Sequence, residues 1–191
     1  MLITLTAPSG GGKEYLKKAL LQRFPNLIEL CWTTTRSLRQ GEIQGVTREH
    51  VSQEEFTHLK SNSELSFTQE LFGGSYGIRT KYLHSPATYM LTEFHVDNVL
   101  IAAEQKLQFL AVALVPQDIS FLRERLKRRD TETVTQIDGR ITAAEVEVAK
   151  INQHRGLFSL VVTFSRENEH MVVDEVSAFL ETRVSLVKSK I

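Results

Sequence analysis

Ser9, Gly10, Gly11, Gly12 and Lys13 are the residues whose types most directly predict chemistry. Consecutive glycines let backbone N–H groups converge on one anion without Cβ clashes, and the free N–H groups of a following helix add positive potential. A lysine directly after them brings a full charge to the β- and γ-phosphates of a nucleotide. The pattern G-x-x-x-x-G-K-[ST] is met imperfectly, because Ala7 stands at its first glycine and Glu14 at its hydroxyl residue. A carboxylate there repels a triphosphate unless a metal lies between them, so Glu14 is a candidate magnesium ligand; it also suits the first turn of a helix. An ordinary glycine-rich turn is the competing reading. Arg36 and Arg39 lie three apart in the polar stretch 33–42. Guanidinium forks match phosphate oxygens, and a solvated loop is the alternative. Arg123, Arg125, Lys127, Arg128 and Arg129 make a third basic cluster, with Arg140 beyond it. A solvated helix face is the usual explanation of such a run.

These residues need a scaffold. Met1 to Thr6 alternates as a strand, and Leu16, Ala19, Leu20 and Phe24 fall on one face of a helix after the loop. Strand, glycine turn, lysine, helix is the context a phosphate loop requires. The sequence predicts further strands at 28–32, 88–91, 108–115 and 160–164, and helices at 95–105, 117–129, 131–151 and 171–187. Such alternation argues an α/β fold with a parallel sheet covered on both faces. The stretch from Glu42 to Leu83 mixes short apolar runs with turns and reads as an accessory lobe.

Composition narrows the classes. The chain has 191 residues, 41% apolar and 24% charged, with 23 basic against 23 acidic side chains. One domain with a sizeable core is expected, and neither a nucleic-acid nor a membrane partner is implied by charge. Cys31 is the single cysteine, which suits a reducing, cytoplasmic setting. No signal-peptide pattern opens the sequence, and the apolar run Phe109 to Val115 is too short to span a bilayer.

Taken together the motifs resemble the guanylate kinases, and the resemblance covers nearly the whole chain. Ala7 to Glu14 is similar to that family's G-P-S-G-x-G-K-[ST], and Trp32 to Gly45 to its S-x-T-T-R-x-x-R-x-G-E-x-x-G. Val51 to Phe56 resembles V-S-x-x-E-F, Tyr76-Gly77 its Y-G step, and Arg125 to Glu132 its R-L-x-x-R-G-T-E lid, followed by Ile137 to Ile141. The resemblance implies a three-layer P-loop kinase fold with a parallel five-stranded core sheet. The core would span 1–32, 87–126 and 152–191, an inserted nucleotide-monophosphate lobe 33–86, and a short helical lid 127–151. It implies ATP and Mg²⁺ as cofactors. Ser9, Gly10, Gly11, Gly12, Lys13, Glu14 and Arg129 would meet ATP; Trp32, Arg36, Arg39, Arg48, Phe67, Tyr76 and Glu93 would line the acceptor site. Lys13, Arg36, Arg129 and Arg140 would be the catalytic cations. The partner would be a small phosphorylated metabolite or nucleotide, and a homodimer is an open assembly.

Departures cluster where the family reads guanine. Its base-reading serine aligns with Trp32 and its base-reading glutamate with Phe67. Arg48 and His50 stand at its Y-x-F, Ile78 at a small hydroxyl residue, Glu93 and His95 near its aspartates, and Thr163 at the asparagine beside the ATP base. Phe67 accepts no hydrogen bond from guanine, and sites built on such contacts discriminate by roughly 10⁴–10⁵. The expected acceptor is therefore not GMP, with Trp32 and Phe67 either stacking on another ring or filling the pocket. The similar ribose 1,5-bisphosphate kinases carry an acidic residue after the loop lysine, so a sugar phosphate is an alternative acceptor. A catalytically inactive guanylate-kinase-like binding module is the other reading.

Overall fold

A computed structural model describes residues 1–38, 41–71, 73–83, 89–128 and 133–184. Five strands make one parallel sheet: β1 (Leu2–Thr6), β2 (Leu27–Glu29), β7 (Tyr89–Glu93), β8 (Phe109–Pro116) and β9 (Leu160–Phe164). Their order is β2-β7-β1-β8-β9. β1 is buried along its whole length, with Ile3 and Leu5 in one apolar cluster and Leu2 in the other. That alternation is the period-2 geometry of a strand covered on both faces. The first cluster packs the sheet against α1 (Lys13–Arg23), α5 (Ile119–Lys127), α6 (Val134–Gln153) and α7 (Val172–Arg183). The second packs it against α4 (Val96–Glu104).

A separate four-stranded sheet, ordered β4-β3-β6-β5, holds the inserted lobe. Its strands are β3 (Trp32–Thr34), β4 (Arg48–His50), β5 (Leu65–Leu71) and β6 (Gly74–Arg79), with α2 (Gln53–Ser61) between β4 and β5 and α3 (Thr80–Leu83) after β6. The expected strand at 28–32 is in fact two. Pairing with β7 ends at Glu29, Leu30 N–H still donates to Leu91 O at 2.8 Å, and Trp32 then opens a strand of the other sheet. The chain passes from core to lobe with no glycine or proline to mark it.

The remaining elements lie within a few residues of their expected limits. Asp118 caps α5, accepting from Ser120 N–H at 2.8 Å. α6 starts three residues later than expected because Thr133 and Gln136 form a capping box, which fixes the first helical residue as Val134. Among the described residues no helix is long and apolar enough to cross a membrane.

Candidate functional site

The glycine loop joins the C-terminal end of β1 to α1 and adopts the conformation its residues permit. Gly10 has φ +81° and Gly12 φ +87°, left-handed values that favour glycine. Gly11 is excluded from carrying a side chain by crowding, since a Cβ there would lie 2.9 Å from both Ala7 Cβ and Pro8 O. Ala7 itself is fully buried and avoids positive φ, so it substitutes for the usual glycine without strain.

Lys13 folds back onto this loop and donates to Ala7 O. Burial pushes its ammonium below the ordinary lysine value, opposed by the Glu93 and Glu147 carboxylates. Arg140 crosses from α6 and donates to Ser9 Oγ at 2.9 Å. A methyl group at Gly12 would lie 3.8 Å from the guanidinium of Arg125. Arg125 spans Phe121, 5.4 Å from the ring centre, and pairs with Glu169 at 3.2 Å. Beneath it lies a cavity of about 330 Å³ lined by Gly12, Tyr15, Arg125, Phe164, Glu169 and His170 among others. Thr163, expected beside the ATP base, is exposed, whereas its neighbour Phe164 lines the cavity. Arg39 and Arg129 lie outside the described residues.

In the lobe, Arg36 presents its fork to Glu42, with Nη1···Oε2 at 2.8 Å and Nη2···Oε1 at 2.6 Å. The ring of Tyr76 and the Cβ of Arg36 flank Gly74, 3.6 and 3.2 Å from where a Cβ would stand. Arg48 lies 3.8 Å from Glu42 and 3.9 Å from Glu29, so it connects the lobe to the core sheet.

The aromatic residues turn inward. Trp32 is 6% exposed and donates from Nε1 to Thr92 Oγ1 at 2.8 Å. Its ring meets Phe94 edge-on at 6.1 Å, and Phe67, 4% exposed, meets Phe94 at 4.8 Å. Phe67 achieves this with φ +53° at the irregularity between Ser66 and Gln69 in β5. A bulge redirects a side chain in this way at a conformational cost of order 1–3 kcal/mol.

Glu14 and Glu93 are paired rather than open. Both lie 3.0 Å from Lys17 Nζ, and Glu29 lies 2.8 Å from it. Burial works against the Lys17 ammonium, but these carboxylates outweigh it and raise its pKa well above the lysine value. Only about 10 Å³ of open space remains among Lys17, Glu29, Trp32, Arg48, Thr92 and Glu93. Among the described residues no group of three or more His, Cys, Asp or Glu side chains could hold a metal ion.

Lys17, Glu29 and Glu42 are therefore prominent residues given no role from the sequence, and Arg125 stood out there only within a basic run and the lid motif. Arg125 had a signal, as first arginine of R-L-x-x-R; Lys17 had only its spacing of four from Lys13.

Known proteins resemble this chain in sequence and in fold. A family model described as guanylate kinase matches residues 1–182. The guanylate kinase of Anaeromyxobacter dehalogenans strain 2CP-C is 33% identical over 154 residues, 78% of this chain and 68% of that protein. That of Wolbachia sp. subsp. Brugia malayi, strain TRS, is 27% identical over 190 residues, 95% of this chain and 92% of that protein. The crystal structure of guanylate kinase from Anaplasma phagocytophilum shares the fold, with a TM-score of 0.69 at 22% identity over 100% of this chain and 90% of that one.

Proposed function

Because the chain belongs to the guanylate kinase family, we propose that it moves the γ-phosphoryl group of ATP onto the phosphate of a small phosphorylated acceptor other than GMP. One observation carries the reading. Lys13 and Arg140 meet at the glycine loop and Arg36 offers its fork in the lobe, while Trp32 and Phe67, which align with the family's guanine readers, are packed into the interior against Phe94.

Transfer between two phosphates needs little covalent help; charge stabilisation and in-line positioning do most of the work. The loop fits a polyphosphate because its glycine conformations leave backbone N–H groups free of side-chain cover. Lys13 leaves the Ala7 carbonyl and turns its desolvated charge to the donor phosphates, where low dielectric strengthens the attraction. Arg140 closes over the loop from the lid, and Arg125 does so from the end of α5. On the acceptor side the Arg36 fork exchanges the carboxylate of Glu42 for a phosphate of similar bite, and Tyr76 supports it. Magnesium bound with ATP would supply charge neutralisation between the phosphates; Glu93, which pairs with Lys17 and whose charge Lys13 feels, would be the residue to hold it, since such sites need only one or two carboxylates.

ADP release measured over a panel of nucleoside monophosphates and sugar phosphates tests the proposal. An acceptor other than GMP is expected to support turnover; GMP as the best acceptor would overturn it. A non-catalytic binding module is the second reading, favoured by the way Glu42 already fills the Arg36 fork. Calorimetry separates the two, because such a module, with Lys13 intact, binds no Mg·ATP at millimolar concentration.

A further inference from the structure

The ammonium of Lys17 is the buried charge that the proposed transfer leaves unused. It sits one turn beyond Lys13 on α1, with its side chain 6% exposed. Carboxylates from three elements close on it: Glu14 of α1 at 3.0 Å, Glu29 of β2 at 2.8 Å and Glu93 of β7 at 3.0 Å. Lys18 adds a weaker contact to Glu14 at 3.6 Å, and is itself exposed. Glu14 occupies the position directly after the loop lysine, and Glu93 acts on Lys13 through space. Left bare, both would repel the phosphates that the loop is shaped to hold.

We infer that Lys17 is a positioning residue for donor binding: it draws Glu14 toward the second turn of α1 and cancels its charge together with that of Glu93, so that a glycine loop followed by a carboxylate still accepts a polyphosphate. The cation is built into the fold, and Glu14 is its partner rather than a metal ligand. The inference rests on the reading of the glycine loop as the ATP site. It explains why a residue so unfavourable for a triphosphate is tolerated there. A buried cation surrounded by three carboxylates is costly to desolvate unless all its partners are present, which fits their arrival from three separate elements.

Titration calorimetry with ATP, once with Mg²⁺ and once with EDTA, tests this on the wild type, K17M, K17R, E14Q and the K17M/E14Q double variant. K17M is expected to weaken ATP binding roughly tenfold or more, the size of one uncancelled charge a few ångströms from the phosphates. K17R keeps the cation and retains most of the affinity. E14Q tightens binding at least about fivefold in the K17M background and by less than that in the wild-type background, with or without Mg²⁺. Equal effects of E14Q in both backgrounds, or wild-type affinity in K17M, would overturn the inference. So would a loss of binding in E14Q seen only with Mg²⁺, which would make Glu14 a metal ligand. Should K17M lose its far-UV circular dichroism, K17M/E29Q, which removes one stranded carboxylate with the cation, serves as parent in its place. A wild type that binds no ATP removes the donor reading and this inference with it; a wild type that binds, matched by K17M, removes this inference alone.

Discussion

Replacing Phe67 with glutamate introduces the carboxylate that the resemblance aligns with this position, and on the proposed reading should neither restore GMP turnover nor leave the fold as stable. Phe67 is 4% exposed, lies 4.8 Å from Phe94 and shares a cluster with Trp32, Ile78 and Val96. Deleting a buried phenyl ring costs about 3–5 kcal/mol. A carboxylate in its place either stays charged in apolar surroundings or takes up a proton, at about 1.4 kcal/mol for each unit its pKa must rise above neutral. The sum is of order 5 kcal/mol, against a total stability of about 5–15 kcal/mol for a domain. For a chain of this length each kcal/mol moves Tm by about 2–4 °C, so F67E should melt at least 10 °C below wild type. Differential scanning calorimetry gives the melting point, and coupled ADP release with GMP gives the activity. An F67E protein that melts within about 3 °C of wild type and phosphorylates GMP would refute the argument. Its ring would then have been lining an open pocket.

Four further outcomes follow from the same structure. K13M should abolish detectable ATP binding by calorimetry, because no other lysine folds onto the loop carbonyl of Ala7 among the described residues. R36A should lower kcat/KM for the acceptor by roughly 10²–10³ while ATP affinity stays within about threefold, the pattern for losing one charge-stabilising donor; equal loss of both would count against its assignment to the acceptor side. T133A should cost about 1 kcal/mol, seen as a drop in Tm of about 2–4 °C, because the hydroxyl caps α6 by accepting from Gln136 N–H. Arg79, hydrogen-bonded at 2.7 and 2.8 Å, holds the Glu49 carboxyl below its ordinary range despite partial burial. Its folded value being the lower one, the stability it contributes is present above about pH 4.3 and fades as pH falls through that lowered value. Urea midpoints at pH 7 and pH 3 should therefore differ less in E49Q than in wild type.

Much of this was legible in the residues. The glycine loop was, because Gly10 and Gly12 are needed for backbone angles that other residues resist. So was the sheet, because β1 alternates as a strand and β8 carries the continuous apolar run of one covered on both faces. The break after Glu29 was not: Leu-Ile-Glu-Leu-Cys-Trp has no turn residue, and only the registers with β7 and β4 divide it. Lys17 gave no signal in the sequence beyond its spacing from Lys13, because two of its three carboxylate partners, Glu29 and Glu93, are 12 and 76 residues away. Phe67 drew attention only by its alignment in the resemblance, and its inward turn depends on a left-handed backbone that residue type alone does not predict.

The indole of Trp32 has a mechanical consequence. The two sheets are separate ladders, yet Trp32, Phe67 and Ile78 from one share a single oily interior with Leu2, Ala111 and Ala113 from the other, and with Phe94, Val99 and Ile151 beside them. The Trp32 to Thr92 hydrogen bond rivets that seam at its base. A seam held this way resists a wide jaw-like swing of the whole insert, and on the proposed reading a second substrate would enter at its rim, around Glu42 and Arg48. Heating should accordingly melt insert and core together, as one calorimetric peak.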